Sequence, residues 1–262
     1  MSGPTGVNVD HLRNARVAVV TSDTDWVEEA TMKQAHEWLC SLGVPLTYFV
    51  TQAYDVLVAD AAVPVEIAPH PNFRDTDLLG EEVLRCLEFA PGAVSCRAHS
   101  CLWSERLRPI LRRYGLKYSS AAMQYLQPGI IPSRIGHELT EIPLFWMDMF
   151  HLELCEREGR PPFDLDALGL DRPGLKVLDV HPVHLALNTR SLAHYEKAKM
   201  HYHDPERLVE CRGEGTGMQT FFHDVVKRLV ESGYEFCLLR EVTSVLRRKV
   251  GSVQIEVMTE TR

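Results

Sequence analysis

The chain has 262 residues, 36 acidic against 28 basic, and a formal net charge of -8. That balance argues against a broad basic footprint for nucleic acid or an anionic membrane, and the length suits one large α/β domain. Seven cysteines, an odd number with no C-x-x-C pair, fit reduced thiols in a cytoplasmic protein better than a zinc knuckle or a disulfide framework.

The first residues, MSGPTGVNVDHLRNA, lack the apolar core of a signal peptide, and no later run approaches a membrane span. The β-branched run Val17 to Val20 predicts a buried strand, followed by TSDTDW and then by helical spacing from Asp25 to Leu42, with Gly43 as the stop. Asp23 and Asp25 thus fall at a strand's carboxyl end, where βα loops carry ligands and chemistry in parallel α/β folds. Read alone, either could instead cap the helix. Val44 to Thr51 and Val63 to Ala68 are the next strands, the latter running into Pro69-His70-Pro71-Asn72-Phe73. A helix over Glu81 to Phe89 precedes a strand from Ala93 to Arg97, which leads into Ala98-His99-Ser100.

The alternation continues with a helix from Ser104 to Tyr114, a strand from Leu116 to Ser119, a loop over 121–139 and a strand from Glu141 to Phe145. Trp146, Asp148 and His151 follow that strand, then a proline-bearing insertion over 157–173 with one short helix. Leu175 to Val180 is a strand delivering His181, and 189–215 reads as an irregular polar excursion. Thr216 to Glu231 is an amphipathic helix, Tyr234 to Leu239 a last strand and Val242 to Arg248 a last helix. Residues 1–14 read as a flexible tail, 15–249 as the folded domain, and 250–262 as a tail or an edge strand. The expected fold is α/β, a single distorted, TIM-like (β/α) barrel of seven or eight strands with irregular insertions.

Several strands therefore present polar groups at the same relative place: Asp23 and Asp25, His70, Arg97 and His99, Trp146 and Asp148, and His181. In a barrel these ends converge on one mouth. A carboxylate with imidazoles is a ligand set suited to hydrolytic zinc, which keeps one position open for water.

In this order, TSDTDW, VPLTYFVT, EIAPHPNF, SCRAHS, LKYSS, EIPLFWMD and LDVHPVHLALNT resemble the segments of polysaccharide deacetylase-like proteins of the NodB-homology carbohydrate esterase superfamily, over roughly 15–245. The resemblance implies metal-dependent removal of an N-acetyl group from a sugar. It makes Asp23 the general base, Asp25 and His70 metal ligands, His181 the general acid and Arg97 the residue orienting the base, with His99, Trp146 and Asp148 lining the mouth for substrate.

The second metal motif diverges. The superfamily supplies a second histidine shortly after the first, whereas Arg74 to Gly80 contains none. Asp77, or failing it Asp75, is the expected third ligand of a divalent metal, most suitably zinc. The expected substrate is a small soluble N-acylated amino sugar, nucleotide sugar or biosynthetic intermediate, with no nucleic acid or membrane partner and homo-oligomerisation left open. The alternative is a metal-free, catalytically degenerate barrel that binds a carbohydrate or a partner protein.

Overall fold

The computed structural model describes residues 9–59, 61–75 and 77–250. In chain order its elements are α1 (Val9–Arg13), β1 (Arg16–Asp23), α2 (Glu29–Ser41), β2 (Leu46–Val50), α3 (Asp55–Val58), β3 (Val65–Pro69), α4 (Leu79–Phe89), β4 (Ser95–Cys96), α5 (Leu107–Arg113), β5 (Tyr118–Ser119) and β6 (Ser133–Ile135). They continue through β7 (Leu139–Glu141), β8 (Trp146–Met147), α6 (Asp148–Glu158), β9 (Gly174–Asp179), α7 (Pro182–Leu187), α8 (Leu192–Ala198), α9 (Pro205–Glu210), α10 (Met218–Glu231), β10 (Glu235–Phe236) and α11 (Val242–Val250).

The result is an α/β fold whose strands pair in parallel, apart from the β6–β7 hairpin. They form two sheets, in the orders β3-β2-β1-β9-β8, with β10 also on β1, and β4-β5-β7-β6. β1 sits at the centre, its Val17 to Val20 buried on both faces, as a parallel strand covered on both sides must be. Register places Thr21 beside Thr47 of β2 and Asp179 of β9, so the carboxyl ends of the three strands meet. The main core gathers Phe49, Trp146, Leu178, Phe222 and Leu229 between strands and helices, and a second cluster of Val83, Leu107, Leu111 and Leu139 lies under α4 and α5.

Several expectations change in detail. β1 runs three residues further than the apolar run, through Asp23, and α2 begins only at Glu29. Neither Asp23 nor Asp25 caps it: the residue before the helix is Glu28, and its side chain makes no capping bond. The strand expected over Glu141 to Phe145 divides around Pro143, which has no N–H for the ladder, into β7 and β8. The helix α6 follows at once, ending at left-handed Gly159. The excursion over 189–215 is not irregular: α8 and α9 are capped by Ser191 and Asp204, whose side chains accept from His194 N–H and Arg207 N–H.

This segment is tied down at its base. Asn188, left-handed at φ 44°, donates to the carbonyls of Gly213 and Gly215 and accepts from Gln219 N–H. Gly217 packs so tightly there that a Cβ would lie 2.3 Å from Asn188 O, leaving room for glycine alone. At the other terminus, α1 occupies part of the expected tail 1–14, and the expected tail or edge strand beyond Val250 lies outside the described residues. Among the described residues no helix is long and apolar enough to cross a membrane.

Candidate active site

β1 delivers Asp23 inside the sheet, and the chain then turns sharply. Asp25 and Trp26 both adopt left-handed backbone, at φ 43° and 60°, a conformation that costs a non-glycine residue about 1–3 kcal/mol. Four hydrogen bonds hold the turn: Val27 N–H to Thr24 O, Thr24 N–H to Phe49 O, Trp26 N–H to Thr51 Oγ1, and Tyr202 Oη–H to Asp25 O at 2.7 Å. The turn carries the Asp25 carboxylate out of line with the strand and towards His70 and His99.

Asp25 Oδ1 lies 3.1 Å from His70 Nε2 and 3.0 Å from His99 Nδ1. His70 Nδ1–H donates to Arg97 O at 2.8 Å, which fixes the tautomer and turns Nε2 towards the carboxylate. His99 stands edge-on to both Trp26 and His70, just before a second left-handed pair, Ser100 and Cys101. One atom from each of Asp25, His70 and His99 lies within 4.8 Å of the others. One carboxylate and two imidazoles form a set that a divalent ion such as zinc accepts, so the donors fit the metal that the resemblance implies.

Asp77, the expected third ligand, is not brought to this cluster. It is exposed, its N–H bonded to Asp75 Oδ1, and it joins none of the clusters that could hold a metal among the described residues. The third member of the cluster is instead His99, two residues after Arg97 on the next strand's end.

Beneath Asp25 runs a fully buried polar network. The Arg97 guanidinium, with no exposure, donates to Asp23 Oδ1 at 2.8 Å, Thr21 Oγ1 at 2.9 Å, Ser120 O at 2.7 Å, Ser120 Oγ at 3.0 Å and Asp179 Oδ1, and lies 4.3 Å from the Phe49 ring centre. Burying a charge costs several kcal/mol unless it is paired, and here two carboxylates and three neutral acceptors offset that cost. Asp179 Oδ2 has no hydrogen bond, and His181 Nδ1 stands 3.9 Å away. Burial and the neighbouring Asp23 charge push the Asp179 carboxyl up.

On the opposite side, Asp148 opens α6 and grips His181 twice, accepting from its backbone N–H at 2.7 Å and from Nδ1 at 2.6 Å. His181 Nε2 then points to Asp25 Oδ2 at 3.5 Å. Burial alone would lower the His181 pKa, but the charge and hydrogen bond of Asp148, followed by Asp25 and Asp179, raise it well above the usual histidine range. Burial alone would raise the Asp25 pKa, but hydrogen bonds with His70 and His99 and the charge of His181 outweigh it and hold the carboxyl well below the usual range. His184, deeper in α7 and bonded to Thr189 Oγ1, is pushed down to about 4 by burial.

Asp23, Asp25, His70, Arg97, His99, Asp148 and His181 are thus brought together, although Asp148 lies behind His181 and does not line the mouth. Trp146 is not brought there: it is fully buried, stacked on Phe222 and packed against His151 and Phe221. The open face of the cluster is a cleft of about 850 Å³ lined by Asp25, Trp26, His99, Arg74, Tyr195 and Lys199, among others. Sequence reasoning missed Asp179, Tyr195 and Tyr202. The signal for Asp179 was a carboxylate at the end of a strand that is apolar apart from Lys176, and for the tyrosines two aromatics in a polar stretch.

Residues 20–199 match the family model of WbmS-like polysaccharide deacetylases. Among solved structures, a Bordetella bronchiseptica protein, WbmS, described as a polysaccharide deacetylase involved in O-antigen biosynthesis, is 26% identical with a TM-score of 0.66, over 80% of this chain and 90% of that one. A family 4 carbohydrate esterase from Bacillus anthracis is 16% identical with a TM-score of 0.45, over 93% and 94% of the two chains. A family 4 pseudoenzyme from the same organism, BA3943, is 12% identical with a TM-score of 0.45, over 88% and 66%. No curated protein matches the chain at a significant level. The chain belongs to the WbmS-like family of polysaccharide deacetylases.

Proposed function

We propose that the protein is a metal-dependent hydrolase that removes the acetyl group from a small N-acetylated amino sugar, such as a nucleotide sugar or an intermediate of O-antigen assembly. The observation that carries this is the cluster of Asp25, His70 and His99, whose ligand atoms lie within 4.8 Å of one another, with Asp25 and His99 lining the cleft. Family membership and the involvement of WbmS in O-antigen biosynthesis support the substrate class. The seven free thiols suit a reducing, cytoplasmic setting.

Asp25, His70 and His99 would hold the ion. A divalent cation there supplies Lewis acidity, which polarises the amide carbonyl and makes water a better nucleophile. The remaining work falls to protein groups. Asp23 takes the proton of the attacking water, its other oxygen held by Arg97 so that the free one faces the centre. His181 Nε2 gives a proton to the sugar nitrogen as the C–N bond breaks, and Asp148 holds the imidazole in place and favours its protonated form. The products are acetate and the free amine, with one water consumed.

On the same reading the two sheets, ten strands among the described residues rather than the expected seven or eight, are halves of one distorted barrel. Its support is the backbone bonds across both seams: Arg97 N–H to Pro69 O and His99 N–H to Pro71 O at one, Leu144 N–H to Ala122 O and Gln124 N–H to Leu144 O at the other. Acetate release from N-acetylated sugars, measured before and after chelation and after zinc is restored, tests the function. Release that stops on chelation and returns with zinc is expected. No release across neutral and anionic N-acetyl sugars, or release indifferent to chelation, contradicts it.

A further inference from the structure

The cleft over the proposed metal centre is within the size range of pockets that take drug-sized ligands, and it exceeds what one pyranose ring requires. Its charges are informative because they do not cancel equally. Two of the lining groups are acidic. Asp25 is engaged by His70 and His99, and Glu28 is bonded to His203 at 3.0 Å. Two are basic, and they are much freer. Arg74, exposed on the loop after β3, forms no hydrogen bond or ion pair among the described residues. Lys199, beyond α8, has only an exposed contact with Glu196 at 3.4 Å, of a kind that contributes little, and its ammonium lies 5.6 Å from the Tyr195 ring centre.

In a chain with a net charge of -8, a cleft lined by both an uncommitted guanidinium and an almost uncommitted ammonium runs against the overall field. The groups between the rim and the metal centre suit a sugar. Trp26, Tyr195 and Tyr202 offer aromatic surface to its C–H faces, and the Tyr195 hydroxyl has no hydrogen-bond partner among the described residues. Tyr202 donates to Asp25 O and His203 pairs with Glu28, so the segment carrying Lys199 is pinned across the β1–α2 turn, and this fixes Lys199 relative to the centre.

We propose that the cleft rim is an anion subsite, in which Arg74, assisted by Lys199, binds a phosphate or carboxylate carried by the same N-acetylated sugar whose amide reaches Asp25, His70 and His99. The inference rests on the deacetylase reading for the position of the amide, and it adds a substrate class: anionic amino sugars in preference to neutral ones. Guanidinium is suited to both anions because its paired N–H donors match two oxygens at once.

The test uses three probes: N-acetylglucosamine 1-phosphate, an N-acetylhexosaminuronic acid and the neutral methyl glycoside of N-acetylglucosamine. Acetate release by the metal-loaded protein should show a kcat/KM for at least one anionic probe that is about tenfold or more above the neutral one, the size of one charge-assisted hydrogen-bonding pair. The larger anionic preference identifies phosphate or carboxylate as the source. Arg74→Ala should bring the ratio close to one, Arg74→Lys should restore part of it, and added salt should reduce it. Equal kcat/KM for neutral and anionic probes, or a preference that survives in the Arg74→Ala, Lys199→Ala double variant, overturns the subsite.

Calorimetry of the same probes with the Asp23→Asn protein separates the two claims. Tighter binding of an anionic probe than of the neutral one supports the subsite even if nothing is hydrolysed. Hydrolysis without any anionic preference in rate or binding leaves the deacetylase reading standing and removes the subsite.

Discussion

Asp25 divides the site into two unequal halves. Below it, Asp23, Arg97, Asp179 and Thr21 are almost inaccessible, and each is held by bonds to strand neighbours. Above it, Trp26, His99, Tyr195 and Lys199 stand on turns and short helices around an open cleft. The buried half rests on parallel strands whose register fixes Thr21 beside Asp179, so a proton acceptor there keeps one orientation. The open half is built from segments that can vary without disturbing the sheet. Under the proposed function, the contrast corresponds to Asp23 handling the water proton at the floor and substrate choice falling to the rim.

The first way to break this division is at the floor. Asp23→Asn keeps the shape but removes the base, and acetate release should fall about 10²- to 10⁴-fold with little change in KM. A loss expressed mainly in KM would move Asp23 from proton handling to substrate binding. Next comes Arg97→Met, which leaves two carboxylates buried without their cation. Chemical unfolding should show a loss of about 3–5 kcal/mol, part of it recovered when Asp179→Asn is added. No recovery would mean that the two carboxylates do not depend on the same guanidinium.

A smaller effect comes from His184 behind the acid. Burial lowers its pKa from 6.5 to about 4, so the unfolded chain binds the proton more readily between these values. Stability should therefore fall as pH drops from 6.5 towards 4, by at most about 1.4 kcal/mol per unit from this group. His184→Gln should flatten that slope in urea titrations, and an unchanged slope would assign the acid sensitivity elsewhere. The smallest effect sharpens the rim: Tyr202→Phe removes one hydrogen bond to the Asp25 turn and should cost about 0.5–1.5 kcal/mol of stability.

The floor was more legible in sequence than the rim, for a physical reason. Strand ends follow from apolar runs, so Asp23, Asp25, His70, Arg97 and His181 could be placed in one mouth by the βα alternation alone. The roles of His99 and Asp148 were not readable that way. His99 lies past the strand's end, held by its N–H to Pro71 O and followed by left-handed Ser100 and Cys101, a geometry that periodicity does not encode. Asp148 belongs to a helix that starts immediately after a two-residue strand, so its carboxylate turns back to His181. Trp146 illustrates the reverse error. It sits at a strand end like the others, but its ring faces α6 and α10 and joins the core. In the rim, α8 and α9 are short and polar, held by caps and by Asn188 rather than by an apolar stripe, and sequence periodicity gave no sign of them.

The divergent loop after His70 was the reason to ask whether a metal could bind at all, and the cluster that could hold one contains His99 and not Asp77. The most direct measurement is zinc affinity and stoichiometry, by competition with a chromogenic chelator, for the wild-type protein, His99→Ala and Asp77→Ala. The account predicts one zinc per chain in the wild type and in Asp77→Ala at similar affinity, and a loss of at least about tenfold to a hundredfold in His99→Ala. Zinc binding that survives in His99→Ala and fails in Asp77→Ala would contradict it.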